Sequence, residues 1–282
     1  MSNSTKGSLD GKVALITGAN SGIGRVTALE LAKRGAEVFL ACRSEEKTMP
    51  IVDEIARAGG KAVFLPLDLS DFASTRACAD SFLRRDRPLH LLVNNAGLAG
   101  GRGLTPSGFE LHFGVNHLGH FLLTTSLLER IRASAPARIV TVASVAHYQA
   151  KGIDFAAVQK RTQSRLGLDE YRVSKLANVL FSVELARRTA ATGVAAYALH
   201  PGVVASNIWR RVPRIARGLM ELFMISNEEG AKTTIYCATS PDVGSESGLY
   251  YEKCRAKDPA APAKDPALAS ELWRRSGRRC LY

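Results

Sequence analysis

The chain has 282 residues, 46% hydrophobic and 23% charged, enough apolar material for one large α/β domain or two small ones. No apolar run approaches the roughly 18 residues that span a bilayer; Met1 to Asp10 is polar and small, unlike a signal peptide, so residues 1–10 read as a disordered tail and the cytoplasm as the compartment. The net charge of +12 and isoelectric point near 9.7 fit a basic solvated surface or attraction to phosphates, of a small ligand or of acidic lipid, while the lack of any RNP or zinc-finger motif argues against nucleic acid.

Lys12 to Thr17 (KVALIT) is a short apolar run of β-formers and reads as a buried strand. Gly18-Ala-Asn20-Ser21-Gly22-Ile23-Gly24 follows at once, and Val26, Leu29 and Leu31 then recur at helical spacing up to Gly35. A glycine turn between strand and helix lets the backbone approach a pyrophosphate, and the helix N-terminus favours the negative charge. The spacing is Gly-x3-Gly-x-Gly, and the order strand, glycines, helix favours dinucleotide binding over a turn that is merely sharp. Glu37 to Cys42 is the second strand. An acid at its end would hold the adenosine ribose hydroxyls; Arg43 stands there instead, and a guanidinium suits a 2′-phosphate, so NADP(H) is favoured. Arg25 offers a second positive charge, and Glu45 and Glu46 weaken the field.

A polar helix over about 45–58 ends at Gly59-Gly60, and Lys61 to Leu67 is the third strand. Asp68 and Leu69 lie at its end, where parallel sheets gather ligands; Asp68 could accept from an adenine amino group or serve as a loop residue. Leu89 to Val93 is the fourth strand, and Asn94-Asn95-Ala96-Gly97 follows, either an ordinary turn or a clearing for a flat ring. Gly108 to Arg132 is a long helical pattern that contains Asn116, a poor helix former that asks for a kink, a bound water or an exposed position.

Ala137 to Ser144 is the fifth strand. An irregular polar stretch over 145–166 precedes a helix that carries Tyr171 and Lys175, four residues apart and so on one face. A phenol ionises near 10, and an ammonium beside it favours the phenolate. Such a pair can pass a proton to and from an alcohol or ketone oxygen; alone it would as readily be a core anchor and a solvated tail. Val194 to Leu199 is the sixth strand, ending at His200-Pro201-Gly202-Val203-Val204. Repeated strand–helix units predict one doubly wound, mostly parallel sheet of about seven strands with helices on both faces, and ligands at the strands' C-terminal edge.

Ile208 to Ile225 is amphipathic, with Arg210, Arg214 and Arg217 opposite Ile208, Trp209, Val212 and Leu219. It reads as a substrate lid over about 205–225, with a peripheral membrane contact as the sharper alternative. Glu228 to Thr239 is a helix, Gly248 to Tyr251 a last strand, 256–269 a surface loop and 272–282 a short helix followed by a loose tail. The domain is expected over 11–275, with 276–282 as the C-terminal tail. The five scattered cysteines read as reduced structural thiols, and His112, His117 and His120 lack an acid at metal-site spacing.

Thr17-Gly-Ala-Asn-Ser-Gly-Ile-Gly24, Asn94-Asn-Ala-Gly97, Asn116, Ser144, Tyr171-x3-Lys175 and His200-Pro-Gly202 stand in an order that resembles the short-chain dehydrogenase/reductase family across about residues 10–275. Ala41-Cys-Arg-Ser44, the run Phe109 to Phe121, the run Ser174 to Phe181 and His200-Pro-Gly-Val-Val204 are similar to its retinol dehydrogenase branch. The resemblance implies a Rossmann fold and an NADP(H)-dependent oxidoreductase that interconverts an apolar alcohol and its aldehyde or ketone. It implies Tyr171 as acid/base, Lys175 on the nicotinamide ribose, Ser144 on the reacting oxygen and Asn116 on a relay water. Gly18, Asn20, Ser21, Gly22, Ile23 and Gly24 would line the pyrophosphate, Arg43 would meet the 2′-phosphate and Asp68 and Leu69 the adenine. Asn94, Ala96 and Gly97 would meet the adenosine and ribose, and Pro201, Gly202 and Val204 the nicotinamide. Homo-oligomers are common in the family. Reduction of a carbon–carbon double bond, or NADP(H) sensing without catalysis, are the alternatives on the same fold. Membrane-bound animal members carry an N-terminal apolar anchor that this chain lacks, so a microsomal location is not expected.

Overall fold

The computed structural model describes residues 8–202, 225–244 and 246–280. Strands β1 (Val13–Thr17), β2 (Glu37–Cys42), β3 (Lys61–Pro66), β4 (Leu91–Asn94), β5 (Ala137–Val142), β6 (Val194–His200), β7 (Tyr250–Glu252) and β8 (Arg255–Lys257) form one sheet in the order β3-β2-β1-β4-β5-β6-β7-β8. All pairs are parallel except β7 with β8. The order reverses between β1 and β4, so the crevice at a doubly wound sheet's switch point opens beside the glycine turn.

Side chains alternate along each strand and feed two cores. Val13, Leu15, Phe39, Leu92 and Ile139 face one way, with residues of α3 (Phe72–Leu83), α4 (Gly119–Ala133), α5 (Leu168–Arg188) and the C-terminal helix. Ala14, Ile16, Val38, Leu40, Val93 and Val140 face the other way, with α1 (Gly22–Lys33), α2 (Glu45–Arg57) and α6 (Asn227–Thr239). Strands buried on both faces explain why the sequence shows continuous apolar runs rather than alternation.

The structure departs from the expected elements in four places. The sheet has an eighth strand. Lys253 and Cys254 both take positive φ (50° and 58°) and turn the chain into β8, which runs into the start of the stretch expected as a loop over 256–269. Two left-handed central residues make a tight hairpin, and Lys-Cys carries no glycine or asparagine to announce it.

The long helix expected over 108–132 is broken. Gly108 sits at φ 83°, Leu104 bridges to Glu110, and Phe113–Leu118 forms a π-helical turn ahead of α4. The C-terminal segment is a helix, α7 (Pro266–Cys280), running through most of the expected tail. Ser276 and Cys280 are buried, and Trp273 stacks on Phe181 and meets Phe121 edge-on. At the other end, the Leu9 amide bonds the Arg34 carbonyl and its side chain is buried, so order begins before residue 11. The rest of the expected N-terminal tail (1–7), the lid over 205–224 and Val204 lie outside the described residues. No described helix is long and apolar enough to cross a membrane.

Candidate active site

At the C-terminal edge of the sheet, β5 ends at Val142 and Ser144 follows it, beside the second turn of α5. Tyr171 is 5% exposed, Ser144 9% and Lys175 1%. A hydrogen bond joins the Ser144 and Tyr171 side chains. Lys175 lies one helical turn on, its Nζ 5.7 Å from the Tyr171 ring centroid and donating at 2.8 Å to the Val142 carbonyl. The three expected residues are thus one cluster.

Their ionisation differs from the simple expectation. Burial lifts the Tyr171 phenol to about 12, and the Ser144 hydrogen bond only partly offsets it. Burial also lowers the Lys175 ammonium to about 7. A low-dielectric site penalises both charged forms. Burial is therefore the dominant influence here, raising the phenol and lowering the ammonium.

Asn116 sits in the π-helical turn, wholly buried. Its Oδ1 accepts from the Leu98 amide at 2.9 Å, and its Nδ2 donates to the Leu98 carbonyl and the Ser174 hydroxyl, both at 3.0 Å. The side chain splints the loop after β4 to α5. Its backbone carbonyl accepts from His120 Nδ1 at 3.0 Å. That donor fixes the tautomer, so Nε2 accepts from the Thr17 hydroxyl at 2.9 Å. The Thr17 oxygen in turn accepts from the Asn95 and Ala96 amides, both at 2.9 Å. One chain of hydrogen bonds thus runs from the loop after β4 to Asn116.

His147 secures Ser144 in the same way. Its Nδ1 donates to the Ser144 carbonyl at 2.6 Å, and its Nε2 accepts from the Ala260 amide at 3.1 Å. The Asn94-Asn95 amides were expected to hold the turn, whereas sequence reasoning gave no bracing role to His147, His120 or Thr17, weighing His120 only against a metal site. Their signal was position only: three residues past Ser144, four past Asn116, and beside the glycine turn.

The glycine turn is built for close approach. Gly18 and Gly22 have φ of 67° and 55°, which favour glycine. A Cβ on Gly24 would stand 2.4 Å from the Gly18 carbonyl oxygen and 2.5 Å from Asn95 Nδ2. Asn95 braces the turn by donating to the Thr17 carbonyl at 2.9 Å. Ser21 precedes α1 without capping it, and the first turn of α1 carries no acid. Its early amides and dipole therefore suit a phosphate. Asn20, Ser21 and Ile23 are half-buried along it.

Arg43 is exposed just past β2, and among the described residues it forms no ion pair. Arg25 does not join it, because it pairs with Glu54 at 2.6 Å. Asp68 turns Oδ1 onto the Ser70 amide and hydroxyl at 2.9 and 2.7 Å. Leu69 is buried, its carbonyl against Gly119. Asn94 is also buried: Nδ2 donates to Thr124 at 3.0 Å, and Oδ1 has no partner among the described residues. Ala96 and Gly97 are half-buried beside the turn, and Pro201 and Gly202 follow β6 on the same edge. The turn, the uncapped helix and the Arg43 guanidinium fit a nicotinamide dinucleotide.

The three histidines that share one stretch go to separate places: His112 to Glu110, His117 to Ser276 and His120 to Thr17.

The family described as short chain dehydrogenase matches residues 12–215. The chain belongs to the short-chain dehydrogenase/reductase family. Retinol dehydrogenase 12 of Mus musculus is 46% identical over 273 residues, covering 94% of this chain and 85% of its own length. Retinol dehydrogenase 11 of Homo sapiens is 44% identical over 270 residues, covering 94% and 84%. Human dehydrogenase/reductase SDR family member 13 is 42% identical over 280 residues, covering 96% and 74%. The chain therefore falls in the retinol dehydrogenase-like branch. Among solved structures, an uncharacterised protein of Mycobacterium paratuberculosis superposes with a TM-score of 0.78 at 32% identity, covering 97% of this chain and 94% of its own. A Beutenbergia cavernae protein titled as an NAD(P)-dependent gluconate 5-dehydrogenase, with NADP at low occupancy, gives 0.71 at 26% identity, covering 89% and 97%. The chain is an oxidoreductase of alcohol and carbonyl groups on small molecules, and its family uses NAD(P).

Proposed function

We propose that this enzyme interconverts an apolar alcohol, retinol-like or otherwise lipophilic, and its aldehyde or ketone with NADP(H). The observation that carries the reading is the buried Ser144–Tyr171–Lys175 cluster on the same sheet edge as the glycine turn, with Arg43 exposed at the end of the neighbouring strand β2. Relatives named retinol dehydrogenase support the apolar substrate. The glycine turn from Gly18 to Gly24 would hold the pyrophosphate, Arg43 the 2′-phosphate and Lys175 the nicotinamide ribose. The cofactor supplies or takes the hydride when bound.

Ser144 donates to the substrate oxygen and orients it. Tyr171 gives its proton to that oxygen during reduction and takes it back during oxidation. A phenol kept neutral by burial is ready as the acid. Asn116 holds α5 and the loop after β4 at fixed separation, so Tyr171 meets the oxygen in one geometry.

The test gives the purified protein NADPH or NADH with a panel of apolar aldehydes and ketones and follows nicotinamide absorbance and products. Alcohol formation with NADPH preferred is expected. Turnover with NADH alone would remove the role of Arg43. A saturated product that keeps its carbonyl would move the reading to double-bond reduction, and NADPH binding without turnover to a sensor. Tyr171→Phe should lower kcat by about 10²–10⁴-fold and leave NADPH binding intact; undiminished turnover would overturn its role.

A further inference from the structure

Glu110 and His112 lie in the quoted run Phe109 to Phe121, yet neither has a role in the chemistry above. Both are buried, at 1% and 0% exposure. Glu110 Oε2 accepts from the His112 and Phe113 amides at 2.8 and 2.9 Å. Its Oε1 bonds His112 Nδ1 at 2.9 Å and accepts from the Thr162 hydroxyl. Donors on both oxygens are what a carboxylate takes. The other ring nitrogen of His112, Nε2, faces the Gly100 carbonyl at 3.2 Å. Both imidazole nitrogens therefore look at acceptors, and only the imidazolium donates from both. A buried ion costs several kcal/mol unless it is paired and hydrogen-bonded, and here each charge answers the other.

The pair sits where three segments meet. Gly100 and Gly101, at φ 71° and 83°, belong to the loop after β4. Thr162 belongs to the long stretch between Ser144 and Tyr171, and also bonds the Gly103 amide at 3.1 Å. Gly167 opens α5 at φ 72°, and a Cβ there would stand 2.5 Å from His112 Cε1 and 2.3 Å from the Gly101 carbonyl oxygen. The Gly167 carbonyl accepts the Tyr171 amide at 3.0 Å, closing the first turn of α5. The His112 ring also meets the Tyr171 ring edge-on, centroids 6.3 Å apart.

We propose that Glu110 and His112 form a buried carboxylate–imidazolium pair that positions Tyr171, by pinning the start of α5 and the Thr162 segment to the loop after β4. Both are positioning residues, and the proposal rests on the reading of Tyr171 as acid/base. A ring packed on Gly167 and on Tyr171 itself sets the phenol's distance from the substrate oxygen. A displacement near 1 Å at a reacting group can cost about 10²-fold in rate.

Glu110→Gln keeps the shape of the acid and removes its charge, and His112→Gln removes the cation. Both should lower kcat roughly 10- to 100-fold for an apolar aldehyde while NADPH affinity, read by fluorescence titration, stays within about twofold. A role in stability alone would instead lower the melting midpoint and weaken NADPH together. Thr162→Val, nearly isosteric, loses one donor to the acid and should fold even if the other two do not. It should lower kcat by about threefold or more with NADPH affinity unchanged. Parental kcat in Glu110→Gln, or in Thr162→Val where the first variant does not fold, would overturn the proposal. Tyr171→Phe runs alongside. If it keeps full turnover, the acid/base reading fails; if it is inactive while Glu110→Gln is not, only the pair's role fails.

Discussion

In the proposed function Tyr171 and Lys175 act from buried positions. With the phenol held up to about 12, carbonyl reduction, which needs the neutral acid, should be flat in pH across neutrality. Alcohol oxidation needs the phenolate and should climb as pH rises. Profiles of kcat in both directions check this, and oxidation that slows between about pH 7 and pH 9 would contradict it. In the proposed function Arg43 meets the 2′-phosphate, and among the described residues it shares its charge with no acid. Arg43→Ala should raise the KM for NADPH by about tenfold or more, the worth of a charge-assisted hydrogen bond, and leave NADH little changed. An unaltered cofactor preference would show that the 2′-phosphate is held elsewhere.

At the scale of elements, the site is a set of splints between strand ends and helices. Asn95 and Gly24 lock the glycine turn against the loop after β4. Gly24→Ala should therefore cost about 1–3 kcal/mol of stability and weaken NADPH binding, because its methyl meets backbone and the bracing amide. Chemical denaturation and cofactor titration measure both; a variant with parental values would mean that the turn relaxes freely. The glycines themselves were legible from the sequence, since a turn between a strand and a helix has few other reasons to carry three. The break at Phe113–Leu118 was not. Apolar spacing continues through it, and only the bonding of Asn116 to Leu98 and Ser174 explains the wider turn.

Across the whole molecule, three buried histidines make stability depend on pH. Burial lowers His117 to about 3, and His120 and His200 to about 4, against about 6.5 when free. Their folded-state values are depressed, so the unfolded chain binds protons first as pH falls. The stabilisation is full above about 6.5 and is lost on going down toward 4, at up to about 1.4 kcal/mol per pH unit for each histidine. The melting midpoint should drop between pH 7 and pH 5, and His117→Phe should make the drop shallower. A midpoint that does not move would show that the native state admits those protons without cost.

The same scale separates what was readable in one dimension from what was not. The strand and helix order, the glycine turn and the positions of Ser144, Tyr171 and Lys175 at one sheet edge were legible because local periodicity and motif spacing encode them. The mostly parallel, doubly wound sheet followed from that order, since strands joined through helices pair in parallel. Only the tertiary structure decided the eighth strand, the packing of α7 as far as Cys280, and the partners of Arg25 and Asn94. It alone brought Glu110, His112, Thr162 and Gly167 together, and it buried Tyr171 deeply enough for desolvation to set its ionisation. Those outcomes depend on desolvation and on contacts between residues tens of positions apart, neither of which a linear pattern records.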